Sequence, residues 1–142
     1  MVLKKTLIIS LLCVAVNLRG AVHDISHETK ACALNQPEEI VQGFIYGDAK
    51  VISNYFNTSV ELIFSEKQGV YSKAQAEQML KTFFSDNAST NKKFNYKQLH
   101  SSPNRDNVQY YIGELNTGKG SYRVTIHMKD QRITQLRIES ND

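Results

Sequence analysis

Between Phe84 and Phe94 the hydrophobic period of this chain changes from helical spacing to simple alternation, and that change limits the folds open to it. From Phe94 onward four runs alternate with period two: Phe94–His100, Val108–Leu115, Tyr122–Met128 and Ile133–Ile138. Ser-Pro-Asn-Arg-Asp-Asn, Asn-Thr-Gly-Lys-Gly and a tight Lys-Asp-Gln-Arg turn separate them, which predicts an antiparallel meander. Successive strand side chains point to opposite faces. On that rule Tyr110, Ile112, Tyr122, Val124, Ile126, Met128, Thr134, Leu136 and Ile138 face inward, while Arg123, Thr125, His127, Gln135 and Arg137 face outward. Gly113, inside a strand, predicts a bulge or sharp bend that would reset the face for Glu114.

Before the switch the apolar residues sit at helical spacing. Ile40, Val41, Phe44 and Ile45 form one stripe, Val51, Ile52, Tyr55 and Phe56 a second, and Met79, Leu80, Phe83 and Phe84 a third. Gly47 suits the left-handed residue that closes a helix, and Asp48 suits the acceptor that opens the next. Asn35 with Glu38 and Ser72 with Gln75 have capping-box spacing, and Pro37 is tolerated in a first helical turn. Between the second and third helices, Asn57-Thr58-Ser59 reads as a turn. Val60–Phe64 then forms a strand, and Glu66-Lys67-Gln68-Gly69 a hairpin loop leading to Val70-Tyr71.

The first twenty residues have a different character. Lys4 and Lys5 precede the ten-residue apolar run Leu7–Val16, followed by Asn-Leu-Arg-Gly, the layout of an export signal cleaved after Gly20. The run is too short for a membrane-spanning helix, which takes about 20 residues. The expected organisation is a signal peptide at 1–20, a polar tail at 21–35 and a single domain at 36–142, exported to the periplasm or secreted. With the signal removed, Cys32 is the one remaining cysteine and no intrachain disulfide can form. The 17 basic and 14 acidic side chains of the whole chain become 14 of each, because Lys4, Lys5 and Arg19 leave with the signal. A neutral mature chain gives no electrostatic reason for a nucleic-acid partner. His23, His27, His100 and His127 show no metal spacing beyond the first two, which lie in the tail, so no metal or cofactor is expected.

The order helix, helix, hairpin, helix and long meander resembles the nuclear-transport-factor-two-like, or cystatin-like, α+β superfamily. Gly47-Asp48-Ala49, Tyr55-Phe56, Val60-Glu61-Leu62, Ser72–Glu77, Phe83-Phe84, Tyr111–Leu115, Tyr122-Arg123-Val124 and Ile133–Ile138 carry the resemblance. Over residues 37 to 139 the chain is similar to a small bacterial family of exported proteins known only as a domain of unknown function. The resemblance implies three N-terminal helices packed on a strongly curved antiparallel sheet, a cone, often dimeric across the sheet.

Enzymes of the superfamily place a general base inside the cone. No Asp, His or Lys stands among the inward positions here, so no catalytic residue is assigned. The expectation is a non-enzymatic domain that binds a small apolar ligand in the cone or a partner protein on the sheet face. Tyr46, Tyr55, Tyr110, Glu114 and Tyr122 are the pocket candidates. Lys97, Arg123, Thr125, His127 and Arg137 are the candidates for a partner face, including a homodimer through the sheet. An isomerase- or dehydratase-type cone enzyme and a dimeric envelope component are the alternatives.

Overall fold

Gly47 and Asp48 form the joint that links the first two helices. In a computed structural model, which describes residues 35–88, 90 and 93–141, helix α1 spans Glu38–Tyr46 and α2 spans Ala49–Ser53. Gly47 has φ 64°, a left-handed value that costs an L side chain free energy, and Asp48 accepts hydrogen bonds from Lys50 N and Val51 N at 3.0 and 3.2 Å. The expectations for residues 1–34, including the signal peptide, Cys32, His23 and His27, lie outside the described residues.

Strand β1 (Phe56–Phe64) and β2 (Lys67–Ser72) form a hairpin, and α3 (Lys73–Asn87) follows directly. Ser72 caps α3 in a full capping box with Gln75. The meander is β3 (Asn95–Ser101), β4 (Val108–Asn116), β5 (Ser121–Lys129) and β6 (Arg132–Ser140). One six-stranded sheet results, in the order β2-β1-β6-β5-β4-β3. Every neighbouring pair is antiparallel except β1 and β6, which run parallel, so the sheet is mixed rather than purely antiparallel. Of the three helices two precede the sheet, and α3 comes after its first hairpin.

Several local boundaries differ from the sequence reading for tertiary reasons. The second stripe ends early: Tyr55 O accepts from Ile133 N at 2.7 Å and Phe56 pairs with Ile133, so sheet pairing takes residues that helical spacing had claimed. Asn57-Thr58-Ser59 lies within β1, across an irregular register between Phe56 and Glu61, and is not a turn. Ser65, with φ 49°, turns the hairpin, and Lys67–Gly69 belong to β2. No capping box forms at Asn35: Pro37 is the cap residue, and Glu38 accepts from Gln42 Nε2 instead.

Two corrections concern which way strand residues face. On β4 the buried set is Tyr111, Gly113 and Leu115, so Tyr110, Ile112 and Glu114 point away from the helices. Pairing with β5 runs unbroken through Gly113, and the bulge sits on β3, between Gln98 and His100. Gly113 is needed for space: a β-carbon there would stand 2.6 Å from Tyr96 Cε2. On β6 a register shift opposite His127–Met128 leaves Thr134 between the buried Ile133 and Leu136, so it does not face inward.

The core lies between the three helices and one face of the sheet. Tyr96 stacks on Phe44 at 4.7 Å, Phe44 meets Phe84 edge-on at 6.0 Å, and Phe84 lies 5.3 Å from Phe94. These four side chains are no more than 6% exposed. These rings pack together in the core between the helices and the sheet.

Candidate functional site

The five pocket candidates occupy separate places. Tyr46 is exposed at the end of α1, with Lys93 Nζ 5.0 Å from its ring centre. Tyr55 donates to Glu39 Oε2 at 3.0 Å at the α2–β1 junction. Tyr122 donates to the largely buried Asn87 at 2.9 Å and meets Phe83 edge-on, tying the end of α3 to β5. Tyr110 and Glu114 lie on the outer face of the sheet, where Glu114 accepts from Asn116 Nδ2 and Ser121 Oγ. Tyr46 and Tyr55 line different grooves.

The partner-face candidates do come together. Strand register aligns Lys97, Glu114, Arg123 and Glu139 in one row across β3–β6, all on the face turned away from the helices. Side chains directly opposite on paired strands are close neighbours. The next row holds His100, Ile112, Thr125 and Arg137, and the third holds Tyr110, His127, Gln135 and Glu61. Tyr110 sits between two imidazoles, 5.7 Å from the His100 ring and 6.0 Å from that of His127. Burial first, and then the Arg137 guanidinium, hold His127 below the ordinary imidazole value, while Glu61 opposes them. Amide donors from Gln68 and Gln135 hold Glu61 below the usual carboxylate range. Leu99, Val108 and Tyr110 add exposed apolar surface at the β3–β4 side.

A second concentration of polar groups surrounds the tips of two hairpins. Asp130 and Gln131 turn β5 into β6, and Asp106 and Asn107 turn the chain into β4, all four with positive φ as type I′ turns demand. Asp130 N donates to Asn107 O at 3.0 Å, joining the tips. Around them lie three adjoining grooves of about 580, 350 and 220 Å³, and Gln131 lines each one. Arg132 donates to Asn54 O at 2.7 Å, and the Tyr55 hydroxyl holds Glu39. The Glu39 carboxyl is held low by its own backbone N–H and by Tyr55, while desolvation and that same bond push the Tyr55 phenol up.

Among the described residues no three His, Cys, Asp or Glu side chains are placed to hold a metal ion, and no helix is long and apolar enough to cross a membrane. The family model of a domain of unknown function, DUF4783, matches residues 37–139. The chain belongs to the DUF4783 family. A crystal structure of a DUF4783 protein from Bacteroides uniformis is 28% identical, covering 76% of this chain and 99% of its own, with a TM-score of 0.67. Two more distant structures share the fold alone. An NTF2-like protein of unknown function from Cytophaga hutchinsonii is 11% identical over 73% of this chain and 85% of its own (TM-score 0.52). A cystatin-like domain of unknown function from Nostoc punctiforme is 8% identical over 74% and 72% (TM-score 0.56). Among curated proteins none matches this DUF4783 chain.

Sequence reasoning took Lys129-Asp130-Gln131-Arg132 only as a turn and so missed the hairpin-tip grooves of this DUF4783 domain. The available signal was Gln131 itself. A two-residue type I′ turn favours Gly at its second position, and a long polar side chain there is out of keeping with the turn alone.

Proposed function

We propose that this DUF4783 domain is a non-enzymatic binding module whose outer sheet face receives a second copy of the chain. One observation carries the reading: the row Lys97, Glu114, Arg123, Glu139 alternates in sign, plus, minus, plus, minus, across four strands. A two-fold axis along the strands, between β4 and β5, reverses the row and sets each charge against its opposite: Glu114 faces Arg123 of the second copy, and Lys97 faces Glu139. Isologous dimers need this kind of self-complementarity. Ile112, Tyr110 and Leu99 supply apolar area beside the row.

The packing of Phe44, Phe84, Phe94 and Tyr96 favours the face over an apolar ligand in the cone. For a cone enzyme of isomerase or dehydratase type, with Tyr110, Tyr122 or Glu114 in its site, the support is weaker: Tyr110 and Glu114 lie on the outer face of β4, and the Tyr122 hydroxyl is bonded to Asn87 Oδ1. Export rests on the layout of residues 1–20, and a purified chain beginning at Ala21 is its expected mark; a chain retaining Met1 counts against it.

Light scattering of the purified chain at micromolar concentration tests the dimer. Wild type should give twice the chain mass and Arg123→Glu the single mass. Arg123→Glu mixed with Glu114→Arg should restore the double mass, because each chain then supplies what the other lacks. A monomeric wild type, or a mixture that stays monomeric, refutes the interface without any question of folding.

A further inference from the structure

Independently of the outer face, we propose that the hairpin-tip grooves form a binding site for a neutral polyhydroxylated ligand of the oligosaccharide class. The grooves adjoin along Gln131, which lines all three, and Tyr55 is shared by the two larger ones. Tyr111 adds a second aromatic side chain to one of them.

The polar groups define the ligand. Asn104, Asn107, Gln109 and Gln131 dominate the lining, and each amide presents a donor and an acceptor side by side. Vicinal hydroxyls of a sugar do the same, so one amide can serve two adjacent hydroxyls. Among the described residues the side-chain amides of Asn104, Asn107 and Gln131 make no hydrogen bond, while Gln109 Oε1 accepts from Tyr111 at 3.3 Å and leaves its NH₂ group available. The Tyr55 ring offers an apolar wall for the C–H face of a pyranose, with its hydroxyl fixed on Glu39.

Charge argues against an anion. Glu39 and Asp130 line the largest groove, and its one guanidinium, Arg132, is already committed to Asn54 O at 2.7 Å. An extended peptide is disfavoured because the grooves lie at hairpin tips and offer no open strand edge to pair with.

Gln131 separates a ligand site from a mere surface hollow. Its φ of 61° is a conformation glycine adopts without penalty, so the turn by itself would be served better by Gly. A residue that opposes the stability of its own turn, at the junction of three grooves, is placed for its side chain. The rim is also preformed: the Asp130 N to Asn107 O bond locks the two tips together, and the Ile133 N to Tyr55 O bond at 2.7 Å ties β6 to the Tyr55 wall. Preorganised polar groups bind with less loss of side-chain freedom.

The test is an amide-resolved NMR titration of the purified chain with cellopentaose, maltopentaose and chitopentaose, up to about 10 mM, the scale of weak lectin-like binding. Saturable shifts confined to Asn54, Tyr55, Asn107, Gln109 and Gln131 are expected with at least one of the three. Gln131→Gly should weaken that binding about tenfold and raise the melting midpoint, opposite signs that a purely structural residue cannot give. Absence of binding by all three sugars overturns the proposal. So does a Gln131→Gly variant that binds as well as wild type, or tighter binding at the same residues by galacturonic acid oligomers or by tetra-alanine.

Discussion

Gly113→Ala is the substitution whose outcome depends most directly on the interior packing. A β-carbon at 113 would lie 2.6 Å from both Cε2 and Cζ of Tyr96, closer than side chains approach one another, so the ring must move. It has little freedom to do so, being 6% exposed, stacked 4.7 Å from Phe44 and hydrogen-bonded through its hydroxyl to Gln36 Oε1 at 2.7 Å. Overpacking of this kind costs about 1–3 kcal/mol. A lost Tyr96–Gln36 bond adds about 0.5–1.5 kcal/mol, and alanine returns about 0.5–1 kcal/mol because glycine is the poorer strand residue. Net destabilisation should be about 0.5–4 kcal/mol, read as a lower urea midpoint by far-ultraviolet circular dichroism. The chain has no tryptophan to report it by fluorescence. The decisive comparison is the same substitution in a Tyr96→Leu background, where the shorter side chain leaves position 113 open. There Gly113→Ala should stabilise the domain by about 0.5–1 kcal/mol, so the sign reverses. Equal destabilisation in both backgrounds would show that the strand, and not the ring, requires glycine.

Three further outcomes follow from local chemistry. Asp48→Ala removes the acceptor for two amides and should cost about 1 kcal/mol in urea unfolding; a change below a few tenths would mean that water replaces the cap. Tyr122→Phe leaves Asn87 Oδ1 without its donor in a largely buried place, with an expected loss of about 1–3 kcal/mol; an unchanged urea midpoint would show that the bond adds nothing. The third concerns acid. Because folding depresses the pKa of His127, the unfolded chain takes up its proton first as pH falls, and the stability due to neutral His127 is lost from the ordinary imidazole value downward through its folded pKa. Arg137→Gln should raise the His127 midpoint in an NMR titration and Glu61→Gln should lower it; identical midpoints in all three proteins would leave burial as the sole cause.

The local chemistry of the chain was legible because it acts over a few residues. Gly47 and Asp48 close and open helices through their own backbone and carboxylate, Ser72 and Gln75 complete a capping box three residues apart, and alternation marks all four meander strands. Parity also set Arg123, Thr125, His127 and Arg137 on one face, because a polar and an apolar side are distinct along β5 and along β6 from Gln135 to Ile138. On β4 that distinction fails: Tyr110, Tyr111 and Ile112 are consecutive and large, and both faces look apolar. What chose between them was Tyr96 on the neighbouring strand, whose ring needs the space above Gly113.

Contacts distant in sequence decided the rest. Phe56 leaves its helical stripe because Ile133, far along the chain, offers a strand to pair with, and β1 runs parallel to β6 for the same reason. The closeness of Tyr55, Asn107 and Gln131 has no signature in any one segment, since it arises where a helix–strand junction meets two hairpin tips. Periodicity and capping are properties of a short stretch and are written in it. Register, the packing of the core and the grooves at the hairpin tips depend on which distant side chains reach a space first, and only the folded chain determines that.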